Sequence, residues 1–282
     1  MSKHNGTILK KMGFNGAKVK KWHHNDVKVY SAGNIVTYYV DSGASYQEEV
    51  DSEASCLTPK TFTPTKSGWT FVGWREDKTA SSSVLSSKVM GDAPITLYAV
   101  FKQTVTLTTV ANGVKTNKTG SRYYNNGNIA NPAFTVSNPT KSGWTFKGWS
   151  SSAGSTSIAN STISNLTLSA STTRYAVFQY PNSSFSTNGD VVWTTKYVNT
   201  AYYSSITGVC KNNNDGEYCD GQVMFGGSNW EESDSHVMWF DLTSGKGTVT
   251  QTYNLASSGN YHFGGTGNGT RSWTLNGKYT VG

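Results

Sequence analysis

The chain has 282 residues, a formal net charge of +7 and 15% charged residues, which leaves room for two or three domains of ordinary size. Abundant Ser, Thr, Asn, Gly, Tyr and Trp beside little Leu, Glu or Ala make a strand-and-turn composition, which excludes a helical bundle. No stretch approaches the run of about eighteen apolar residues that a membrane span needs, so no membrane insertion is expected.

Charge is uneven along the chain: residues 1–34 carry +6, residues 35–181 carry +4 and residues 182–282 carry −3. The basic head holds two echoes, Phe14-Asn15-Gly16-Ala17-Lys18-Val19-Lys20-Lys21 and His24-Asn25-Asp26-Val27-Lys28-Val29-Tyr30. Each sets an Asn-Gly or Asn-Asp turn before an apolar/Lys alternation, the signal of a hairpin. A lone hairpin is marginal in water, so residues 1–34 are expected to attach to a partner surface. Basic charge alone is a weak footprint of nucleic acid and no nucleic-acid module follows it, so no nucleic-acid partner is expected. Adjacent His23 and His24 would point to opposite faces of a strand and do not suit one metal ion. Met1 to Lys11 lacks the apolar core of a signal peptide, and Gly277 to Gly282 holds no sorting motif or hydrophobic tail. The expectation is a chain that reaches the exterior without a secretory signal, as a virion protein released by lysis does.

The middle of the chain is a repeat. Pro64-Thr65-Lys66-Ser67-Gly68-Trp69-Thr70-Phe71-Val72-Gly73-Trp74 returns as Pro139-Thr140-Lys141-Ser142-Gly143-Trp144-Thr145-Phe146-Lys147-Gly148-Trp149, and one of the eleven positions differs, Val72 against Lys147. Tyr98-Ala99-Val100-Phe101 and Tyr175-Ala176-Val177-Phe178 echo each other in the same way, 77 residues apart where the first pair is 75 apart. Internal repetition of this kind divides a chain before any other reading. Pro64 suits the entry to a strand, Ser67-Gly68 signals a turn, and the alternation from Trp69 to Trp74 has strand period. Gly73 interrupts that alternation, as a bulge or a close backbone approach would. Tyr98 to Phe101 reads as the strand that closes the unit. Trp69, Trp74, Trp144 and Trp149 are expected in the core; the alternative is that Trp69 and Trp144 serve as sugar platforms.

The pattern Pro-x-Lys-x-Gly-aromatic-x-Phe-x-Gly-Trp, followed by Leu-Tyr-Ala-x-Phe some way on, resembles the Listeria–Bacteroides, or internalin-type B, repeat. Two copies cover about half the chain, from near Ile35 to near Tyr180. The resemblance implies a small β-grasp-like module strung between other domains of extracellular proteins, without catalysis. This chain departs from the pattern in Trp69 and Trp144, where the family more often has Tyr, and in Arg174-Tyr175 in place of Leu97-Tyr98. The stretch from Gly13 to Lys21 is in turn similar to N-terminal segments of phage tail proteins from Gram-positive hosts.

Pro181-Asn182-Ser183-Ser184 is a polar turn directly after the second repeat. Beyond it, Asp190–Thr194, Gln222–Phe225, His236–Leu242, Thr248–Tyr253 and Ser272–Leu275 read as short strands between Gly/Asn-rich loops, which suggests an antiparallel sandwich. Cys210 and Cys219 are left open between a disulfide formed outside the cell and two free thiols. The loop between them fails the EF-hand template, since Lys211 and Gln222 fall where carboxylates belong; the remaining Ca²⁺ alternative is a non-standard site on Asp215, Glu217 and Asp220. Trp230 to His236 gathers acids and a His, but adjacency in one loop does not supply the separation that paired carboxylates need, and no hydrolase motif occurs, so no catalysis is expected. Trp239, between Met238 and Phe240, reads as core. Trp230, flanked by Asn229 and Glu231, joins Asn213, Asp215, Tyr202 and Tyr203 as the candidate ligand-binding set, because ring faces stack on sugar C–H groups and amides bond hydroxyls.

The sequence therefore reads as a mostly-β chain: an N-terminal hairpin segment (1–34), two tandem β-grasp-like repeat modules (35–104 and 105–181) and a C-terminal antiparallel β-sandwich (182–282). The role expected is a phage tail or tail-fibre protein that binds other virion tail proteins through residues 1–34 and presents the sandwich to a bacterial surface glycan or protein. Trimers are ordinary for such proteins, though no residue pattern here specifies one. The runner-up is a bacterial surface adhesin and the third class a cell-wall hydrolase.

Overall fold

In the computed structural model, residues 33–189, 193–212, 219, 221–225, 247–265 and 267–282 are described in full, together with the backbone of six short strands before residue 33. Those six are β1 (Lys3–His4), β2 (Thr7–Ile8), β3 (Gly13–Phe14), β4 (Ala17–Lys18), β5 (Lys21–His24) and β6 (Val27–Ser31). They pair as three antiparallel hairpins, with His4 opposite Thr7, Phe14 opposite Ala17 and His24 opposite Val27. The two residues between the paired positions are, in the last two, the Asn15-Gly16 and Asn25-Asp26 that signalled the turns. Every regular element among the described residues is a strand, and none of them includes a helix long and apolar enough to cross a membrane.

The chain forms two compact units, one of Met1–Leu107, Asn117–Thr135 and Ser164–Thr172, the other of Thr108–Thr116, Val136–Ile163 and Thr173–Gly282. The first is built on β7 (Asn34–Asp41), β8 (Ala44–Val50), β9 (Thr70–Arg75) and the start of β10 (Ile95–Ala111). The strands lie in the order β8-β7-β10-β9, with β10 parallel to β7 and antiparallel to β9. This is a β-grasp-like order, with the irregular segment 51–68 where a β-grasp carries its helix. That segment is held by backbone: Glu53 N–H donates to Met90 O at 2.8 Å, Cys56 N–H to Lys88 O at 2.8 Å, and Trp74 Nε1–H to Leu57 O at 3.0 Å. Burial alternates along β7, and Val36, Tyr38, Leu97, Ala99, Phe101 and Trp74 fill the core. Tyr38 donates its hydroxyl to Cys56 O at 2.9 Å, and burial pushes its pKa above the ordinary phenol value.

The closing strand of the first repeat and the opening strand of the second are one continuous strand, β10, and the repeat boundary falls inside it. A hairpin at Asn112-Gly113, with φ of 52° and 77°, returns the chain as β11 (Val114–Asn125). Positive φ at both central residues is the type I′ turn that matches strand twist. A second such turn at Asn126-Gly127, with φ of 46° and 92°, leads to β12 (Asn128–Ala130). Within the first unit the β11–β12 hairpin of the second repeat lies on strands of the first. Tyr124 donates its hydroxyl to Asp41, Lys66 Nζ bonds Asp41 at 2.7 Å and sits 3.8 Å over the Tyr124 ring, and Asn125 Nδ2 donates to Asp77 O and Thr79 O at 2.9 and 3.0 Å.

β13 (Ala133–Val136) and β15 (Ile163–Thr167) form a small ladder, while β14 (Thr145–Ser150) pairs with β16 (Thr172–Gln179) as β9 pairs with β10. The repeated phrase does the same thing twice. Trp69 N–H donates to Lys66 O and Trp144 N–H to Lys141 O, both at 3.0 Å, with Gly68 and Gly143 at φ of 76° and 75° in the third turn position. Ser67 has no positive φ, so each is a type II turn, which requires that glycine. One turn later the ladder skips a residue: Phe71 pairs with Phe101 and Gly73 with Val100, then Phe146 with Phe178 and Gly148 with Val177. The bulge expected at Gly73 is present, and the extra residue in each copy is Val72 or Lys147, the single position at which the phrases differ. Trp74 and Trp149 are core residues, each 1% exposed. Trp69 and Trp144 differ from the expectation, since both are only half-buried; Trp69 packs against the core of its unit from outside, because the type II turn lifts it to the sheet margin.

The remaining strands are β17 (Ser183–Asn188), β18 (Thr194–Val198), β19 (Tyr203–Asn212), β20 (Gln222–Phe225), β21 (Thr248–Asn254), β22 (Gly259–Gly264), β23 (Gly269–Gly277) and β24 (Tyr279–Val281). They make two antiparallel sheets, β17-β23-β19-β21 and β18-β22-β20, around a core of Val198, Ile206, Val223, Phe263, Trp273 and Leu275. This is the sandwich expected, although β17, β19 and β22 were not anticipated; of the expected strand Asp190–Thr194, residues 190–192 lie outside the described residues and Thr194 opens β18. The His236–Leu242 strand and the Trp239 core reading lie outside the described residues. Cys210 and Cys219 are bonded, their Cα atoms 6.5 Å apart. β24 leaves the sandwich and pairs antiparallel with β16, Val177 opposite Val281 and Gln179 opposite Tyr279.

Candidate functional site

Of the candidate ligand-binding residues, Tyr202 and Tyr203 lie in a ring cluster at the base of the sandwich. Tyr202 stacks on Tyr180 with centroids 4.5 Å apart and planes at 24°, Tyr203 meets Tyr180 edge-on at 5.5 Å, and Trp144 meets Tyr180 at 5.4 Å. The backbone locks the same place: Tyr180 N–H donates to Lys278 O at 2.9 Å, Lys278 N–H to Tyr202 O at 2.7 Å and Gly277 N–H to Asn182 Oδ1 at 2.9 Å. A Cβ on Gly277 would collide with Tyr180 O, so only glycine allows this approach. Tyr203 packs on the sandwich core, and burial, with Tyr180 as a smaller contributor, raises its pKa. Tyr202 keeps 39% of its surface exposed. Trp230, Asn213 and Asp215 lie outside the described residues, as do the Ca²⁺ candidates Glu217 and Asp220. Among the described residues no group of three His, Cys, Asp or Glu is placed to hold a metal ion.

A second aromatic surface, not anticipated as a site, lies on the outer face of the three-stranded sheet. β18 follows from Thr194-Thr195-Lys196-Tyr197-Val198, β-branched and aromatic residues that suit a pleated strand. Its partner β22 turns Tyr261 and Phe263 into the core, so Asn260, His262 and Gly264 face outward. Register then sets three rows across the face. Thr195 is opposite His262, which is opposite Met224; Tyr197 is opposite Asn260; Gly264 is opposite Gln222. The third row is completed by Trp193, whose indole occupies the space above Gly264: an added Cβ there would come within 2.5 Å of ring atom Cδ2 and 2.6 Å of Cε3. Thr195 Oγ1 and His262 Nδ1 share a hydrogen bond of 2.9 Å, which fixes the imidazole on the face. Trp193 stays 40% exposed and Tyr197 67% exposed. Lys196 points to the other side, its Nζ 5.2 Å from the Phe185 ring centroid, so these rows carry no Lys, Arg, Asp or Glu. The period-2 run Trp193-x-Thr195-x-Tyr197 was the legible signal; which of its two faces meets water depends on the register with β22.

Among the described residues these rows offer ring surfaces, hydroxyls, amides and an imidazole, and no Lys, Arg, Asp or Glu with which to bind a phosphate or a carboxylate. No curated protein and no solved structure matches the chain. The family model for the Listeria-Bacteroides repeat domain matches residues 35–100 and 104–177, the two segments that share the turn, the bulge and the buried tryptophan: these are two adjacent copies of that repeat.

Proposed function

We propose that the chain is a structural protein of a phage tail or tail fibre, which joins other tail proteins through residues 1–34 and presents the C-terminal sandwich to a bacterial surface without catalysis. The observation that carries this reading is the double attachment of the sandwich. Its entry at Asn182 and its exit at Gly277 meet at one place, and β24 is paired to β16 of the second repeat. A domain held at both ends on the second repeat is fixed in orientation to that repeat, which suits presentation. The Cys210–Cys219 disulfide goes with action in an oxidising exterior. Trimeric assembly, ordinary in fibres, goes with the same reading.

The test uses the whole chain, fluorescently labelled, on a panel of Gram-positive cells. Saturable labelling that unlabelled chain displaces is expected; absence of labelling on every strain overturns the reading. The repeat and the disulfide equally favour a bacterial surface adhesin, which the same assay does not separate. Mass spectrometry of purified virions does, since the proposal requires the chain there and an adhesin would be found on the envelope.

A further inference from the structure

The outer face of β18-β22-β20 goes further than attachment in general. We propose that it is a binding site for an uncharged oligosaccharide, with Trp193 as the ring platform and Tyr197, Asn260, Thr195, His262 and Gln222 as its neighbours; this rests on the reading of the sandwich as a surface-binding domain. The first argument is the Trp193–Gly264 contact. The indole takes the space that any side chain at position 264 would need, so one side is fixed against the sheet while 40% of the residue remains exposed. A fixed, half-exposed ring loses little freedom on binding, which is what makes an aromatic an effective anchor.

The second argument is the mixture. Tyr197 is 67% exposed on the same face, yet the residue across from it is Asn260 and the row between holds the Thr195–His262 hydrogen bond. Aromatic rings offer their faces to the C–H groups of a sugar ring, and amide, hydroxyl and imidazole groups bond its hydroxyls. Among the described residues, the three rows hold no Lys, Arg, Asp or Glu, which favours a neutral ligand.

The third argument is size. Two steps of two residues along β18 span roughly 13 Å, and three strands span roughly 10 Å between the outer two. The footprint of these described residues falls well short of the roughly 800 Å² per partner of a standard protein–protein interface. It does suit a short run of sugar rings laid along the strand.

The test uses the full chain and a panel of uncharged oligosaccharides of the gluco-, galacto-, manno- and N-acetylhexosamine series. At least one series is expected to bind and to shift the His262 ring signals in NMR, assigned by their loss in His262→Gln. Trp193→Ala and Tyr197→Ala should each weaken that binding about tenfold or more, the scale of truncating an aromatic anchor. Tyr197→Ala is the safer variant, because the ring is mostly in water and its loss leaves Gly264 covered. Exposed Tyr279, on β24, is the control, and Tyr279→Ala should bind as the parent does. Raising the ionic strength should leave the affinity unchanged, because contacts of this kind to a neutral sugar involve no exposed ion pair between protein and ligand. Binding that survives both Trp193→Ala and Tyr197→Ala, or that collapses with salt, overturns the proposal. If the chain labels cells but binds no oligosaccharide, and protease treatment of the cells abolishes the labelling, the saccharide assignment falls while the attachment role stands. If it labels no cells, the attachment role falls.

Discussion

Val72 and Lys147 can differ between otherwise identical phrases because each is the extra residue of a β-bulge, left without a partner on the facing strand. The glycine after each has no such freedom. Gly73 and Gly148 have φ of 151° and 144°, a region nearly closed to side chains, and a Cβ on Gly148 would lie 2.6 Å from Ile158 Cγ2 and 2.8 Å from Asn160 O. Gly148→Ala should therefore cost on the order of 1–3 kcal/mol, whereas Lys147→Val should stay within about 0.5 kcal/mol. Urea unfolding of the two variants measures both, and equal losses would show that the bulge is not what fixes the glycine. Identical residues need not be equivalent either: Trp74 Nε1 donates to Leu57 O, whereas Trp149 Nε1 is buried and finds no acceptor among the described residues.

At the scale of elements, the short final strand has the clearest consequence. A two-residue hairpin at Asn112-Gly113 brings Arg122 and Tyr124 beside Gln103 and Phe101, with Arg122 Nη1 donating to Gln103 at 3.2 Å and the Phe101 and Tyr124 rings 6.4 Å apart. In the second repeat the equivalent residues, Val177 to Gln179, are paired instead by β24. The chain's last strand thus fills the place that a further repeat's second strand would take, and covers an edge that would otherwise be open for pairing with another chain. Truncation after Lys278 should abolish hydrogen-exchange protection at Phe178 and nearby residues of β16 and promote self-association, while β7 and β9 keep their protection. Undiminished protection of β16 in the truncated chain would show that β24 covers nothing that matters. The same pairing means that a fragment beginning at Asn182 lacks the partner of its own final strand.

For the molecule as a whole, the two units differ in how they are held. The first has a free, buried Cys56 and a core of packed rings; the second has the Cys210–Cys219 bond, closing a loop across nine positions. A loop of that length constrains the unfolded chain by about 2–3 kcal/mol. Reduction should accordingly speed hydrogen exchange in β19 and β23, which flank the bond, and leave β7 and the first part of β10 unchanged. Equal acceleration in both units would mean that they unfold together and that the bond stabilises the whole chain.

Much of this was written locally. The repeat, its type II turn, the bulge at Gly73, the buried Trp74 and Trp149 and the N-terminal hairpins all follow from short-range backbone chemistry: glycines where φ must be positive, and alternation where a strand has one wet face. Asn112-Gly113 and Asn126-Gly127 carried the same signal for the two I′ hairpins. Cys210 and Cys219 showed that a bond was available and no more. What only the tertiary structure decided is long-range pairing. Tyr98 to Phe101 closes one repeat, yet nothing in its alternation says that the strand runs on to open the next. Tyr279 to Val281 is too short to announce a strand, and it forms one because β16 presents an unpaired edge. Trp69 and Trp144 share the composition of core residues, but the turn before each sets the ring at the margin. Trp193 and Tyr197 face outward only because β18 registers on β22 with Phe263 and Tyr261 turned in, and a slip of one residue would have turned both rings to the core side and brought Lys196 to the outer face.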